Sequence, residues 1–343
     1  MKGVVKTARG DGNVSLEDVR EPEPGPGQVL IAVQAAGICG TDIHIYHDEF
    51  PSWPPVVLGH EVSGQVLGVG EGVTTIKVGA RVTSETYFFT CGKCRFCREG
   101  RINLCPSRRS IGSGVNGAFT SLLVVPEIKV HTLPENLSYQ EGALVEPLAS
   151  AIHGTLDQPH VRPGDLAVVT GPGAIGLLAL QLLKAAGVQV IVLGTASDVH
   201  RLDLARQLGA DETYVVESDD YRAAIEQRSD GLGADIVYEC SGAGAAAAML
   251  LTLVRRGGQY AQIGLFGKPV AWDLEQVCYK ELTVTGSNAQ VPSAWARALN
   301  LLASGTIKLE PLISGVYALA DWREAFDAAE RRSAFKLLLT PVS

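Results

Sequence analysis

The sequence predicts an α/β protein with a β-rich part and a part built on a doubly wound parallel sheet. Residues 1 to about 140 consist of short β-branched runs broken by glycine and proline, which is typical of bent β-structure. From about residue 140, apolar strand-like runs alternate with helical segments. This order is typical of a parallel sheet covered on both faces. The length of 343 residues allows two domains.

Composition and charge exclude several classes of protein. Hydrophobic residues make up 46% of the chain and charged residues 19%, so both parts can bury a core. The net charge of −8 argues against a nucleic-acid-binding surface. No apolar run reaches the roughly 18 residues of a membrane span, and the N-terminus lacks the apolar segment of a signal peptide. We therefore expect a cytoplasmic protein without nucleic-acid or membrane partners, whose cysteines bind metal or remain free thiols.

The change of pattern along the chain predicts the domain boundaries. A helix over 139–154 separates the β-rich part from the alternating part. After about residue 290 the pattern returns to a helix and short strands, including one at 336–340. We expect 1–150 and 290–343 to form one domain, and 151–289 to form a nucleotide-binding domain.

A glycine loop begins the alternating part. Gly171-Pro172-Gly173-Ala174-Ile175-Gly176 follows a predicted strand and opens a predicted helix that Gly187 ends. The first glycine allows a tight turn, the second a close backbone approach to a pyrophosphate, and the third close packing of helix and strand. An ordinary glycine turn is the alternative, but the strand–loop–helix context favours a dinucleotide site with the phosphates at the helix N-terminus.

The end of the second strand bears on the choice between NADP and NAD. An NAD enzyme usually has Asp or Glu there, whereas Gly194 or Thr195 occupies that place here, depending on a one-residue gap. Neither residue would repel a 2′-phosphate, and Arg201 could bind one. This favours NADP. Asp198 keeps NAD open, and Arg201 is otherwise an ordinary solvated helix residue.

A cysteine cluster predicts a structural metal site in the loop 91–105. Cys91, Cys94, Cys97 and Cys105 follow the spacing C-x2-C-x2-C-x7-C. Four thiolates around one ion form a closed tetrahedral site, which suits structural zinc. An iron–sulfur cluster is the alternative because Pro106 follows the last cysteine, but ferredoxins use a shorter final spacing and repeat the motif.

A second set of polar residues suits a zinc ion with an open position. Cys39 and His60 offer a thiolate and an imidazole, and a third ligand must come from Glu61 or Glu146. Each residue alone has an ordinary structural explanation. Together, and beside a cysteine loop and a nucleotide loop, they predict a catalytic zinc.

These motifs resemble those of a known family. The chain is similar to the zinc-dependent medium-chain dehydrogenases/reductases, in particular the sorbitol (polyol) and L-threonine dehydrogenase branch. The matching segments are 37–44, 59–64, the four cysteines, Glu146-Pro147-Leu148 and the Gly171 loop. The resemblance implies a groES-like β-rich catalytic domain with a Rossmann domain, two zinc ions, NADP or NAD, and a homodimer or homotetramer.

The resemblance also implies the roles of the site residues. Cys39, His60 and either Glu146 or Glu61 would surround the catalytic zinc, and the two glutamates can exchange. Zinc lowers the pKa of the substrate hydroxyl, and a hydride passes from the carbinol carbon to the nicotinamide. Thr41 is the expected first proton relay and His44 the exit.

The substrate prediction combines several partial resemblances. Threonine dehydrogenases typically carry His where this chain has Phe88, and the segment 146–150 is nearer the polyol pattern. Ile45 and Tyr46 lie where we expect specificity to be set, and Arg108-Arg109 resembles sugar-alcohol-phosphate dehydrogenases.

We therefore predict oxidation of a secondary hydroxyl of a polyol or sugar alcohol, with L-threonine or a sugar-alcohol phosphate as the alternative substrate. A zinc-less reductase and a non-enzymatic nucleotide-binding protein are the remaining alternatives, and the complete metal set speaks against both.

Overall fold

A computed structural model of the chain describes residues 1–331 and 334–341. These residues form two compact units. The first unit contains Met1–Pro147, Val291–Gly305 and the chain from Leu309 onward, and the second contains Leu148–Gln290 and Thr306–Lys308. The first is built mainly on antiparallel strands and the second on a parallel sheet, which confirms the predicted fold class.

The N-terminal stretch is rich in short strands. The strands are β1 (Lys2–Lys6), β2 (Val14–Asp18), β3 (Gln28–Gly37), β4 (Val56–Val57), β5 (Glu61–Val69), β6 (Arg81–Ser84), β7 (Tyr87–Phe89), β8 (Arg109–Ser110), β9 (Leu122–Pro126) and β10 (Val130–Thr132). The helices are α1 (Gly40–Tyr46), α2 (Arg95–Arg98), α3 (Tyr139–Ala143) and α4 (Val145–Ile152), with 3₁₀ turns at Ile102–Leu104 and Glu127–Lys129. The single helix predicted over 139–154 is thus divided at Leu144.

The middle stretch alternates strand and helix. A π-helical turn, His153–Asp157, continues α4. The strands are β11 (Leu166–Thr170), β12 (Gln189–Gly194), β13 (Glu212–Val215), β14 (Ala234–Glu239), β15 (Val254–Gln262) and β16 (Thr283–Gly286). The helices are α5 (Ala174–Ala185), α6 (Val199–Gln207), α7 (Tyr221–Arg228), α8 (Gly244–Leu253) and α9 (Leu274–Tyr279), with a 3₁₀ turn at Ala196–Asp198.

The C-terminal stretch returns to the first unit. Its elements are α10 (Pro292–Ala303), β17 (Ile313–Ala318), α11 (Trp322–Glu330) and β18 (Lys336–Thr340), with 3₁₀ turns at Glu310–Leu312 and Leu319–Asp321. β18 pairs antiparallel with the end of β3, so that Leu338 lies opposite Gly37. This pairing brings the C-terminal strand beside the residues that precede Cys39.

The larger sheet of the first unit has β3 near its centre. Its strand order is β10-β6-β5-β3-β18-β17, and β9 also pairs with β3. Along β3 buried and partly buried residues alternate, because successive side chains point to opposite faces of the sheet. Val29, Ile31 and Val33 belong to the core of this unit. β3 therefore carries the chain through a packed sheet directly to the polar segment that begins at Cys39.

The sheet of the second unit is fully parallel. Its strand order is β13-β12-β11-β14-β15-β16, so the order reverses between β11 and β14. All five residues of β11 are buried, as expected for a strand covered on both faces. This is the doubly wound arrangement in which ligands bind at the carboxyl ends of the strands, at the point of reversal. The glycine loop follows β11 at that point.

Candidate metal centres and dinucleotide loop

Asp42 organises the start of α1. Cys39 caps this helix, and its backbone N–H donates to Asp42 Oδ2 at 2.9 Å. The other oxygen, Asp42 Oδ1, accepts the backbone N–H of Gly59 at 3.2 Å and lies 3.6 Å from His60 Nδ1. The buried carboxylate thus ties the thiol segment to the imidazole segment. A carboxylate beside a histidine nitrogen fixes the orientation of the ring, as in many metal sites.

The surroundings of His60 favour positive charge. Burial alone would lower the pKa of its imidazole, but Asp42 and Cys39 outweigh burial and raise the pKa well above the usual value of 6.5. A site that stabilises a proton on this ring also stabilises a metal cation beside it. The negative charges around His60 therefore favour a metal cation at this site.

Glu61 enters the same site from the start of β5. It lies opposite Gly37 in the pairing of β3 with β5, and a Cβ atom at position 37 would collide with Glu61 Oε2. Glycine is therefore required there for the carboxylate to approach the strand. Glu61 Oε1 accepts a hydrogen bond from Lys336 Nζ at 2.6 Å, whereas no described residue donates a hydrogen bond to the buried Oε2 atom.

The donor set fits zinc. One ligand atom each from Cys39, His60 and Glu61 lies within 4.8 Å of the others. Sulfur, imidazole nitrogen and carboxylate oxygen are the ligands that zinc takes in proteins. A bound ion would also give Glu61 Oε2 a partner that no described residue supplies.

Glu146 lies near this group but outside it. Thr86 Oγ1 donates to Glu146 Oε1 at 2.9 Å, and the carboxyl is buried. Burial raises the pKa of Glu146, and the charge of Glu61 raises it further, while His60 opposes the rise. The two glutamates are thus electrostatically coupled, and Glu61 is the one whose oxygen joins Cys39 and His60 in the compact set.

The four cysteines of the loop also converge. One sulfur atom each from Cys91, Cys94, Cys97 and Cys105 lies within 4.8 Å of the others. Backbone N–H groups point at the sulfurs, as from Cys94 to Cys91 Sγ at 3.3 Å and from Cys91 to Cys105 Sγ at 3.4 Å. The N–H groups of Lys93 and Cys94 lower the pKa of Cys91 to about 6. A closed set of four sulfurs with thiolate-stabilising donors fits structural zinc.

Thr41 and His44 both lie on α1. The Cys39 thiol is 3.7 Å from Thr41 Oγ1. His44 Nδ1 is 2.7 Å from Glu49 Oε2, and about a third of the His44 side chain is exposed. Thr41 is therefore next to the candidate ligand, and His44 is at the surface of the unit.

Ile45 and Tyr46 both pack within the first unit, and the expectation that they bear on specificity stays a prediction. Ile45 is fully buried in the core of the first unit. The Tyr46 ring packs edge-on against Phe326, and its hydroxyl accepts a hydrogen bond from Arg323 at 3.2 Å. Tyr46 lies at the end of α1 and contacts α11 through Phe326 and Arg323. The sequence pattern alone did not show this contact.

The glycine loop fits a pyrophosphate. Gly171 has a φ of +79°, and a side chain there would meet Ser241. Gly173 caps the twelve-residue helix α5, which begins with Ala174 and Ile175, and the nearest atom to a Cβ at Gly173 would be Arg201 Nη1 at 3.6 Å. A side chain at Gly176 would collide with the Gly171 carbonyl. The helix N-terminus and a guanidinium thus lie beside an open backbone, which suits anionic phosphates.

The turn after β12 is held by its own side chains. Thr195 follows Gly194, and both its N–H and its hydroxyl donate to Asp198 Oδ2. The next N–H, of Ala196, donates to Glu217 Oε2 at 3.0 Å. Glu217, which lies beyond the following strand, is an acidic residue near this turn that the sequence analysis did not identify, because it is distant from the motif along the chain.

Two family models match the chain, one in each half. The alcohol dehydrogenase GroES-like domain matches residues 25–135, and the zinc-binding dehydrogenase domain matches residues 174–304. A sorbitol dehydrogenase of Halalkalibacterium halodurans is 41% identical over 343 residues, the full length of both chains. The chain belongs to the zinc-dependent medium-chain dehydrogenases/reductases. The predicted family is therefore confirmed.

Two further matches support the same family. A D-arabitol-phosphate dehydrogenase of Enterococcus avium is 42% identical to this dehydrogenase over 99% of this chain and 97% of its own. The crystal structure of a zinc-binding dehydrogenase from Sinorhizobium meliloti, bound to NADP, superimposes with a TM-score of 0.90 at 34% identity and covers 99% of both chains.

The enzyme class follows from the family. The dehydrogenase is an oxidoreductase acting on CH–OH groups of a small molecule, with zinc and a nicotinamide dinucleotide as cofactors, as predicted. Within the described parts of the chain, no helix has the length and apolar character needed to cross a bilayer. Sequence analysis missed Asp42 and Lys336, whose significance depends on contacts that only the folded chain provides.

Proposed function

We propose that this dehydrogenase oxidises a secondary hydroxyl of a polyol or sugar alcohol and transfers the hydride to NADP or NAD. The observation that carries the proposal is the compact set of Cys39, His60 and Glu61, in which one buried oxygen of Glu61 receives no hydrogen bond from the described residues. The sorbitol dehydrogenase matched over its full length supports a polyol as the substrate. The D-arabitol-phosphate dehydrogenase supports the second candidate, a phosphorylated sugar alcohol.

The residues of the first unit would prepare the substrate. Zinc supplies a Lewis acid that lowers the pKa of the substrate hydroxyl, and oxidised nicotinamide supplies the hydride acceptor. Cys39, His60 and Glu61 would hold the ion, with Glu146 as the alternative carboxylate ligand. Asp42 keeps the imidazole oriented through Nδ1. We assign these roles to the predicted catalytic domain, 1–150 with 290–343.

The proton leaves along α1 in this proposal. Thr41 Oγ1, which lies 3.7 Å from the sulfur of a candidate zinc ligand, would accept the hydroxyl proton and release its own proton toward His44, three residues along the same helix. His44 is the exit. Its Nδ1 is engaged with Glu49, so Nε2 is the nitrogen that takes the proton and releases it to water.

The domain 151–289 would hold the dinucleotide. Backbone N–H groups at Ala174 and Ile175 would bind the pyrophosphate, with the Arg201 guanidinium beside Gly173. The absence of an acid at Gly194 and Thr195 favours NADP, and the zinc-binding dehydrogenase solved with NADP supports it. Asp198 lies 3.7 Å from Arg201 Nε and lessens the charge available for a 2′-phosphate, so NAD stays the alternative.

The enzyme is proposed to work in the cytoplasm as a homodimer or homotetramer. β16 is the last strand of its sheet, and Val284 on this strand is 42% exposed. Tyr279, at the end of the preceding helix, is 66% exposed. An apolar edge of this kind suits pairing with a second copy of the chain. Light scattering on the wild type and on Val284→Lys tests this oligomeric state. A monomeric wild type would contradict it.

One experiment tests the proposed activity. Reduction of NADP⁺ and NAD⁺ is followed with sorbitol, other polyols, a polyol phosphate and L-threonine, and zinc is measured on the same preparation. We expect polyol-dependent reduction and two zinc ions per chain. Turnover of L-threonine alone, or of none of the alcohols, would overturn the substrate proposal.

A matched pair of variants tests the zinc role. Cys39→Ser should lose one zinc and at least about a hundredfold in turnover, because the ion loses its soft ligand. Cys278→Ser, at an exposed thiol of the other unit, is the control and should keep both zinc ions. Full activity in Cys39→Ser would contradict the assignment of the catalytic site.

A further inference from the structure

A buried carboxylate lies at the point where the strand order of the parallel sheet reverses. Glu239 is the last residue of β14 and is fully buried. In the pairing of β11 with β14 it lies opposite Thr170, directly before the glycine loop. Nothing in the proposed chemistry uses this residue, although ligands of such sheets bind at this point.

Among the described residues, every hydrogen-bond donor to the Glu239 carboxylate is neutral. Oε1 accepts the Ser241 N–H at 2.8 Å, the Ser241 hydroxyl, and the Gly242 N–H at 3.1 Å. Oε2 accepts from Gln262 Nε2 at 2.8 Å and again from Gly242. This arrangement suits an acceptor-only carboxylate. Among the described residues no lysine, arginine or histidine forms an ion pair with it.

These hydrogen bonds shape one wall of the dinucleotide loop. Glu239 holds the turn 240–242, in which Gly242 has a φ of +66°. A side chain at Gly171 would meet the backbone and side chain of Ser241 from this turn, and Gly264 must be glycine because a side chain there would collide with Glu239 Oε2. The carboxylate therefore fixes how the ends of β14 and β15 approach the glycine loop.

The negative charge of Glu239 also acts on its neighbours. Burial raises the pKa of the Tyr260 phenol and of the Cys240 thiol, and the charge of Glu239 adds to both shifts. The adenosine half of a dinucleotide lies on the side of β12, so the nicotinamide half lies on the side of β14 and β15.

We propose that Glu239 is a positioning residue of the dinucleotide site, and that its charge makes the site favour the oxidised, cationic nicotinamide over the neutral reduced form. This rests on the proposed function only in its choice of a nicotinamide cofactor. The carboxylate holds the turn 240–242 against the glycine loop, and its field stabilises the positive ring.

Binding measurements without substrate test this inference. Dissociation constants of the oxidised and reduced cofactors are determined by calorimetry and by NAD(P)H fluorescence on zinc-loaded enzyme. Glu239→Gln keeps the shape and removes the charge. We expect both forms to bind more weakly, and the ratio of the two constants to shift by about threefold or more against the oxidised form. An unchanged ratio would overturn the proposal.

The control variant removes a carboxylate from the same strand at its other end. Asp235 is the second residue of β14, where it accepts the Leu166 N–H and pairs with Arg255. Asp235→Asn should leave the ratio of the two constants at the wild-type value. An equal shift in Asp235→Asn and Glu239→Gln would mean a general structural effect and would overturn the assignment to Glu239.

Two more measurements separate position from charge. Glu239→Asp keeps the charge but shortens the side chain, so both forms should bind more weakly with an unchanged ratio. Wild-type affinity of Glu239→Asp for both forms would overturn the positioning role. This test does not depend on whether Glu239→Gln folds. Hydrogen exchange of the Ser241 and Gly242 amides, measured without cofactor, should be faster in either variant. Because no alcohol is present, a wrong substrate assignment would not affect these results.

Discussion

Lys336 Nζ lies 2.6 Å from Glu61 Oε1, and both side chains are almost completely buried. The ammonium also donates to the backbone carbonyl of Ile38 at 3.1 Å, one residue before the candidate ligand Cys39. It therefore holds one oxygen of the carboxylate and leaves Oε2 for the metal. The C-terminal strand, through this single side chain, contributes to the candidate zinc site.

Replacing Lys336 by methionine should harm both stability and metal binding. The change leaves Glu61 buried without its cation, and breaking a buried ion pair from one side costs about 3–5 kcal/mol. Urea unfolding should show this loss, and zinc analysis should show weaker retention of one ion per chain. Lys336→Arg restores the charge and should recover part of both. Wild-type stability and zinc content in Lys336→Met would show that the pair is dispensable.

Asp42→Asn should weaken the catalytic metal site without unfolding the unit. The amide keeps an oxygen for one of the backbone donors but loses the charge beside His60 Nδ1, and such outer partners typically contribute 10–100-fold to metal affinity. Competition with a zinc chelator measures the change. The exposed Asp18 provides a control, since Asp18→Asn should keep the wild-type affinity. Equal affinities in the two variants would exclude an orienting role for Asp42.

The metal sites were predictable where their residues lie close together in the chain. Cys39, His60 and the four-cysteine loop are local patterns whose spacing implies coordination, and the structure brings each set together. Lys336 was not predictable, because it is 275 positions from Glu61 and reaches it only through the pairing of β18 with β3. A lysine in an apolar strand carries no signal of its partner.

The fold class was predictable for a similar reason. The parallel sheet follows from the alternation of buried strands and helices, and the dinucleotide loop from its glycines. The surroundings of each site were less predictable from the sequence. The packing of Tyr46 against Phe326 could not be read from its position after the motif. Glu239 could not be singled out from the sequence, since its donors come from a turn and from the neighbouring strand.

Loss of one loop cysteine should affect the loop before it affects chemistry. Cys97→Ser should lose one zinc per chain, because three sulfurs no longer complete the closed site. The segment also carries Lys93, Arg95 and Arg98, all exposed, so trypsin should cut it much faster once the metal no longer holds it. Mass spectrometry of the fragments locates the cuts. Cys278→Ser is the matched control. Unchanged resistance to trypsin in Cys97→Ser would show that the loop is stable without the ion.

His47 should make the stability of the first unit depend on pH. Its Nε2 lies 2.5 Å from Glu330 and its Nδ1 2.7 Å from Asp11, and only the protonated ring can donate to both. The hydrogen bond to Glu330 raises the pKa of His47 above its usual value of 6.5, and Asp11 raises it further, while partial burial opposes the rise. The folded state thus binds the proton more tightly than the unfolded state. The contribution of protonated His47 to the free energy of unfolding is complete below about pH 6.5. It is lost as the pH rises through the higher pKa of the folded state.

The comparison of wild type with His47→Gln isolates this contribution. Unfolding midpoints are measured in urea from pH 5.5 to 8.5, in steps of about half a unit, with the same buffer ions throughout. The difference between the two proteins should be largest at the acidic end and should decrease with rising pH, because neutral glutamine cannot respond to protons. The ring is about a third exposed, so the difference should be small and should weaken with added salt. A difference that grew with pH would mean that neutral His47 is the form that ties α1 to α11.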